Sequence, residues 1–273
     1  MTPSIRTTLR LFAGIPALLL VACAVPGGGS PPVAIDNVRS VEIQYQYSGW
    51  SRADEVHRLQ RSGSQRAFTR TSKVETAEGV QTTQATVPAQ RVGELVWALS
   101  APPWPRERAV QVVARRVPAA WMMENALISA RGNVPGCDTE EEIRNRMFPH
   151  LSGAALRTQL DAYYRGMPWT DDYPGMRVVI SFRHGPDRVI SSKSQALLML
   201  PWTLGELPVP GPANAGPHSW SVPVSDALRR LLPSTSQAAE RLAMDADIHL
   251  ASMVAAAAEQ ECVKELAGAR AAP

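Results

Sequence analysis

The stretch VRSVEIQYQYS, residues 38–48, alternates strictly through its middle. Val41, Ile43, Tyr45 and Tyr47 fall on one side, with Glu42, Gln44 and Gln46 on the other. Successive side chains of a strand point to opposite faces, so this period of two predicts a half-buried β-strand rather than a helix. One apolar and one polar side also predict an antiparallel sheet that packs on one face and meets water on the other.

Toward the C-terminus, Ser48-Gly49 is a turn signal, residues 55–59 and 66–72 are weaker strand candidates, and 80–87 carries Thr82, Thr83 and Thr86. Together these predict a meander. Pro88 then stands at the favoured first position of a helix, with Val92, Leu95, Val96 and Leu99 at helical spacing, until the prolines of APPWP (101–105) stop it. Residues 106–131 read as helix broken near Pro118. In CDTEEEIRNRMFPH (137–150), Asp138 and Glu141 have the spacing of a capping box, and the acids at 140–142 suit a positive helix end. Residues 151–165 make another helix, ended by Gly166-Met167-Pro168.

A second strand group follows. MRVVISF (176–182) and RVISSK (188–193) flank the turn His184-Gly185-Pro186-Asp187, and 195–200 is a further pairing segment. SVPVSDALRRLLP (221–233) reads as a helix, and the Ala-rich 234–269 as a long one. Strands grouped apart from helices predict an α+β fold: antiparallel meander segments with segregated helices and a long C-terminal helix. The folded part is expected to be one domain over 38–273, divisible into lobes of about 38–165 and 175–273.

The N-terminus carries a different signal. Arg6 and Arg10 precede a run from Leu11 to Ala22 that is apolar or small throughout, apart from Gly14 and Pro16. A basic start followed by a short apolar run is the pattern of a cleaved secretory signal, here 1–22, and it is shorter than the ~20 apolar residues a bilayer span needs. Leu20-Val21-Ala22-Cys23 resembles the lipobox of bacterial lipoproteins. That resemblance implies cleavage before Cys23 and acylation of its thiol and amine. Each buried methylene contributes ~0.8 kcal/mol, so two or three chains on one residue form an effectively permanent anchor. Ala24 stands where an Asp would favour inner-membrane retention, which implies the periplasmic face of the outer membrane in a Gram-negative host. The Arg- and Ala-rich, Lys-poor chain is the compositional basis for that host. Residues 23–37, rich in Gly and Pro up to Asp36, read as a tether.

Cleavage removes Arg6 and Arg10 and no acid, leaving 26 basic residues against 25 acidic ones, a net charge of +1. No nucleic-acid footprint is present. The hydrophobic fraction of 45% argues against global disorder. With Cys23 acylated, Cys137 and Cys262 remain as an even pair in an oxidising compartment, either bridged or as two buried thiols.

The signatures H-E-x-x-H, G-x-S-x-G, G-x-x-x-x-G-K-[ST], S-x-x-K and C-x-x-C are absent. Asp245 and His249 in MDADIHL would share one face of a helix and offer two metal ligands, or a surface ion pair. Asp171 and Asp172 in WTDDYPG offer a cation site, an acid–base pair or plain turn chemistry. Trp104, Trp169 and Trp202 each follow a proline and would serve as binding platforms or fold back onto the core, packing being favoured for Trp202 after ALLML. The expected role is that of an envelope-accessory lipoprotein that binds a protein or envelope partner, with no cofactor. An immunity lipoprotein against an envelope toxin is one version, and a cell-wall or lipid hydrolase using acids such as Asp171 and Asp172 is the alternative.

Overall fold

The structure, a computed structural model, describes residues 35–48, 52–63, 66–76, 79–130, 135–165, 174–193, 200–206 and 218–271. Strand β1 (Val38–Ser48) runs through the centre of an eight-stranded sheet. On one side of it lie β2 (Arg52–Arg61), β3 (Ala67–Thr76) and β4 (Gly79–Pro88). On the other lie β5 (Gly175–Phe182), β6 (Arg188–Lys193), β7 (Trp202–Leu204) and the two-residue β8 (His218–Ser219). Every pairing is antiparallel.

The period-two pattern sets the faces. Val41, Ile43 and Tyr45 of β1 are buried beside Met176, Val178 and Ile180 of β5. The opposite face stays polar. There Arg58 donates to Glu42 at 2.7 Å, and Arg177 holds Glu206 through its Nε at 2.8 and 2.9 Å. Burying one aliphatic side chain contributes about 1.5–3 kcal/mol, so a one-residue slip of β1 would forfeit several such contributions together.

Between the two strand groups come α1 (Ala89–Ser100), α2 (Arg106–Ala114), α3 (Ala119–Ser129), α4 (Glu140–Met147) and α5 (Gly153–Arg165). After the sheet follow α6 (Val222–Leu231), α7 (Gln237–Ala243) and α8 (Ile248–Ala271), the last 24 residues long. The α+β class and the long C-terminal helix are as the sequence pattern predicts. No helix among the described residues is long and apolar enough to cross a membrane.

Several details differ from the sequence reading. Strands of both expected lobes share one sheet, because β1 pairs with β5 from Val38↔Phe182 to Gln46↔Gly175. The capping box uses Thr139 and Glu142, not Asp138 and Glu141. The Glu142 N–H donates to Thr139 Oγ1 at 3.2 Å, and the Glu142 carboxylate accepts from the N–H of both Thr139 and Asp138. Thr139 takes the cap because its backbone is extended (φ −127°, ψ 153°) and Glu142 stands three residues on, within reach of the free N–H groups. The segment 234–269 is two helices. Ser236 caps α7 through the Ala239 N–H, and Asp247 accepts from the Leu250 N–H at 2.8 Å to start α8 afresh. Of the expected tether 23–37, residues 35–37 instead form a 3-10 turn held by Arg61 through the carbonyl oxygens of Ile35 and Val38, and 23–34 lie outside the described residues. Of the expected pairing segment 195–200, residues 194–199 lie outside the described residues. The strand that pairs with β6 is β7, through Ile190↔Leu204 and Ser191↔Thr203.

Candidate functional site

Helix α3, AAWMMENALIS, is the local anomaly of the helical layer. Met122 and Ala126 face the core and are fully buried. Ala120, Met123, Leu127 and Ile128 form a second apolar stripe at helical spacing on another side. A helix apolar on more than one side normally belongs in the interior. Here that second stripe floors an open groove of about 820 Å³ whose other wall is α4, through Ile143 and Arg144. The groove continues into a hollow of about 410 Å³ beside Phe148 and Leu151. Ile128 is 59% exposed and Phe148 70% exposed, large values for such side chains.

The wall is covalently fixed. Cys137 and Cys262 are joined by a disulfide, which ties the entry to α4 onto α8, and Cys137 itself lines the groove. Gly136 stands at φ +92°, and a Cβ there would lie 2.2 Å from the Cys262 carbonyl oxygen, so only glycine lets this loop approach α8. Arg146 pairs with Glu265, and His150 Nε2 lies 2.9 Å from Glu261, adding two more ties from the α4 region to α8. The rim carries Glu124, Asp138 and Glu140 against one Arg144, which is paired with Glu140 at 2.9 Å. Its field is therefore negative. The hydrogen bonds from the Thr139 and Asp138 N–H groups hold the Glu142 carboxyl below the ordinary glutamate value, keeping an anion at the same helix start.

Two further polar clusters bear on the hydrolase reading. Glu55 and His57 of β2 are fully buried, with His57 Nε2 3.0 Å from Glu55 Oε2. The Ser236 hydroxyl donates to that same oxygen, and the Gln237 N–H donates to Glu55 Oε1 at 2.7 Å. Nucleophilic catalysis needs the histidine between serine and acid, whereas here the acid lies in the middle. Burial pushes the Glu55 carboxyl up, but the bonds from His57, Ser236 and Gln237 outweigh it and leave it below the ordinary value. Glu55 is thus a buried anion that pins the start of α7 to the sheet.

The second cluster contains the expected ligand pair, which the fold separates. Asp245 precedes α8 and so shares no helix face with His249. Burial pushes the Asp245 carboxyl up, with Arg116 and Asp226 acting in opposite directions, and its Oδ1 has no hydrogen bond among the described residues. His249 is exposed and sits against Tyr163, ring centroids 5.8 Å apart, while Asp247 accepts from the Tyr163 hydroxyl at 2.9 Å. Among the described residues no three His, Cys, Asp or Glu side chains converge to hold a metal ion.

The tryptophans divide. Trp202 is fully buried and donates from Nε1 to Ser225 Oγ at 3.0 Å, so it docks α6 on the sheet and is no platform. Trp104 is partly buried with the Arg108 guanidinium 4.1 Å from its ring. Trp169, Asp171, Asp172 and Cys23 lie outside the described residues. Of the site candidates among the described residues, Cys137 lines the groove and Cys262, Trp104, Trp202, Asp245 and His249 do not. The local signal for the groove is the double apolar stripe of 119–129, which helical periodicity alone does not distinguish from an ordinary packed helix. In comparisons with known protein families, with curated proteins and with solved structures, this chain matches none.

Proposed function

We propose that the chain is a lipid-anchored envelope protein, held by Cys23 at the periplasmic face of the outer membrane, that acts by binding. Its occupant is an apolar helical segment of a partner protein, carrying Lys or Arg, laid into the groove between α3 and α4. The observation that carries this reading is the stripe Ala120, Met123, Leu127 and Ile128, in which Met123 and Leu127 are half-buried against the core and Ile128 is exposed, lining a groove whose wall is fixed by the disulfide. An amphipathic helix in such a groove buries its own apolar face, and residues three and four apart act as anchors. The acidic rim of Glu124, Asp138 and Glu140 selects basic over acidic versions of that helix. Targeting is supported by the basic start, the apolar run and the Leu20-Val21-Ala22-Cys23 box.

Two measurements test the two halves separately. Radioactive fatty acid should label the wild type and not Cys23→Ala; equal labelling of both ends the lipoprotein reading. For binding, Trp121 on α3 provides a fluorescence signal for titration with a short amphipathic Leu/Lys peptide and a Leu/Glu peptide of the same stripe. The Leu/Lys peptide should bind at least about tenfold tighter, and Ile128→Asp should weaken it by about as much. Equal affinity for both peptides, or an unaffected Ile128→Asp variant, overturns the groove.

A further inference from the structure

Strand β4, GVQTTQATVP, is the terminal strand at one end of the sheet among the described residues, and residues 79–84 are exposed one after another. On the helix-side face Gln81 and Thr83 are as open as Val80 and Thr82 on the other, so the helical layer stops short of this half of the strand. The phase of its ladder follows from one bond. The Ala89 N–H donates to the Arg66 carbonyl at 3.1 Å, in the same register as Ala67↔Pro88. Bonded pairs in an antiparallel ladder recur every second residue. Val87, Ala85, Thr83 and Gln81 therefore direct their N–H and C=O groups to β3, and Val80, Thr82, Gln84 and Thr86 direct theirs outward. Pro88 falls in the outward phase, where its missing N–H breaks no bond within the sheet.

Edge strands are usually blunted by charge, by brevity or by an internal proline. The other edge, β8, is two residues long. Strand β4 has ten residues, no Asp, Glu, Lys or Arg, and proline only at its end. We infer that this edge pairs antiparallel with β4 of a second copy, extending the sheet through a two-fold axis. An uncharged strand meeting itself brings no like charges together, and symmetry sets the register. Opposed residues share a face, so an axis normal to the sheet passes midway between one residue and its own copy. With Thr83 on the axis, Val80 faces Thr86 of the second copy and Thr82 faces Gln84. All four outward residues are then matched, in about eight N–H···O bonds. Thr83 and its copy form a non-bonded pair with Cα atoms ~4.5 Å apart, within the range a disulfide spans.

This interface is independent of the groove and of the lipid. The test uses the full chain in detergent. Mild oxidation should cross-link Thr83→Cys into dimers, beyond any wild-type background from Cys23, and should not cross-link Thr82→Cys, which lies opposite Gln84. Sedimentation should give a dimer for the wild type. Gln84→Pro, which removes an outward N–H and spares the β3 ladder, should shift it to monomer. The double variant Thr82→Lys/Gln84→Lys opposes lysine to lysine and should raise the dissociation constant at least about tenfold, even if the proline variant fails to fold. A wild type that sediments as a monomer throughout the micromolar range, or equal cross-linking of Thr82→Cys and Thr83→Cys, overturns the inference.

Discussion

The disulfide offers the sharpest energetic test. Cys137 and Cys262 are 125 residues apart, and the chain-entropy relation for a loop of that size gives about 4.9 kcal/mol at 25 °C. Whole domains are stable by only about 5–15 kcal/mol, so the bridge accounts for a large share of the margin. The perturbation is Cys137→Ala/Cys262→Ala, chosen because alanine leaves no unpaired hydroxyl in a site where both sulfurs are buried. Urea unfolding followed by tryptophan fluorescence should show a loss approaching 5 kcal/mol, with a thermal midpoint lower by about 10–20 °C. The m-value should rise, because the uncrosslinked unfolded chain exposes more surface. Hydrogen exchange should show α4 losing protection before the sheet, since the bridge is its covalent tie to α8 and the polar ties described above, the Arg146–Glu265 ion pair and the His150–Glu261 hydrogen bond, are partly exposed. A double variant with wild-type midpoint and m-value would refute the reasoning, as would uniform loss of protection across sheet and helices.

Gly136→Ala places a Cβ 2.2 Å from the Cys262 carbonyl oxygen at a positive φ, so it should cost about 2–4 kcal/mol in the same urea assay. Glu55→Gln should cost about 3 kcal/mol at pH 7, because the buried carboxylate bonded by Ser236 and Gln237 is replaced by a group that cannot satisfy both donors. Its folded-state carboxyl lies below the ordinary value, so the stability it contributes is present above about pH 4.3 and is lost as pH falls through the folded value. Thermal unfolding against pH should accordingly be flatter for Glu55→Gln than for the wild type on the acid side. Asp245 has the opposite sign: its carboxyl is raised by burial, so wild-type stability declines as pH rises from about 4 through the folded value. Asp245→Asn should raise the melting temperature at pH 7, with the gain vanishing near pH 4; a destabilised variant at pH 7 would show that its attraction to Arg116 outweighs desolvation.

Much of the local structure was legible in the chain itself. The alternation in 38–48, the helix begun after Pro88, the break at Pro118 and the hairpin turn at 184–187 all follow from side-chain period and backbone restriction, which act within a few residues. The site was less legible, because two apolar stripes on 119–129 say that two sides want covering without saying which side the protein covers.

What the sequence determined alone is therefore a set of elements with preferred faces, all written in residues close along the chain. Only the tertiary structure decided the pairings between distant segments. β1 joins β5 across more than a hundred residues, and Cys137 meets Cys262. Trp202 turns inward to Ser225 rather than outward to a ligand. Asp247 rather than Asp245 governs the start of α8, and α3 keeps one apolar side partly open along the groove. The physical reason is that periodicity records how much surface each residue gains by leaving water, while the identity of the surface that receives it depends on contacts no local pattern encodes.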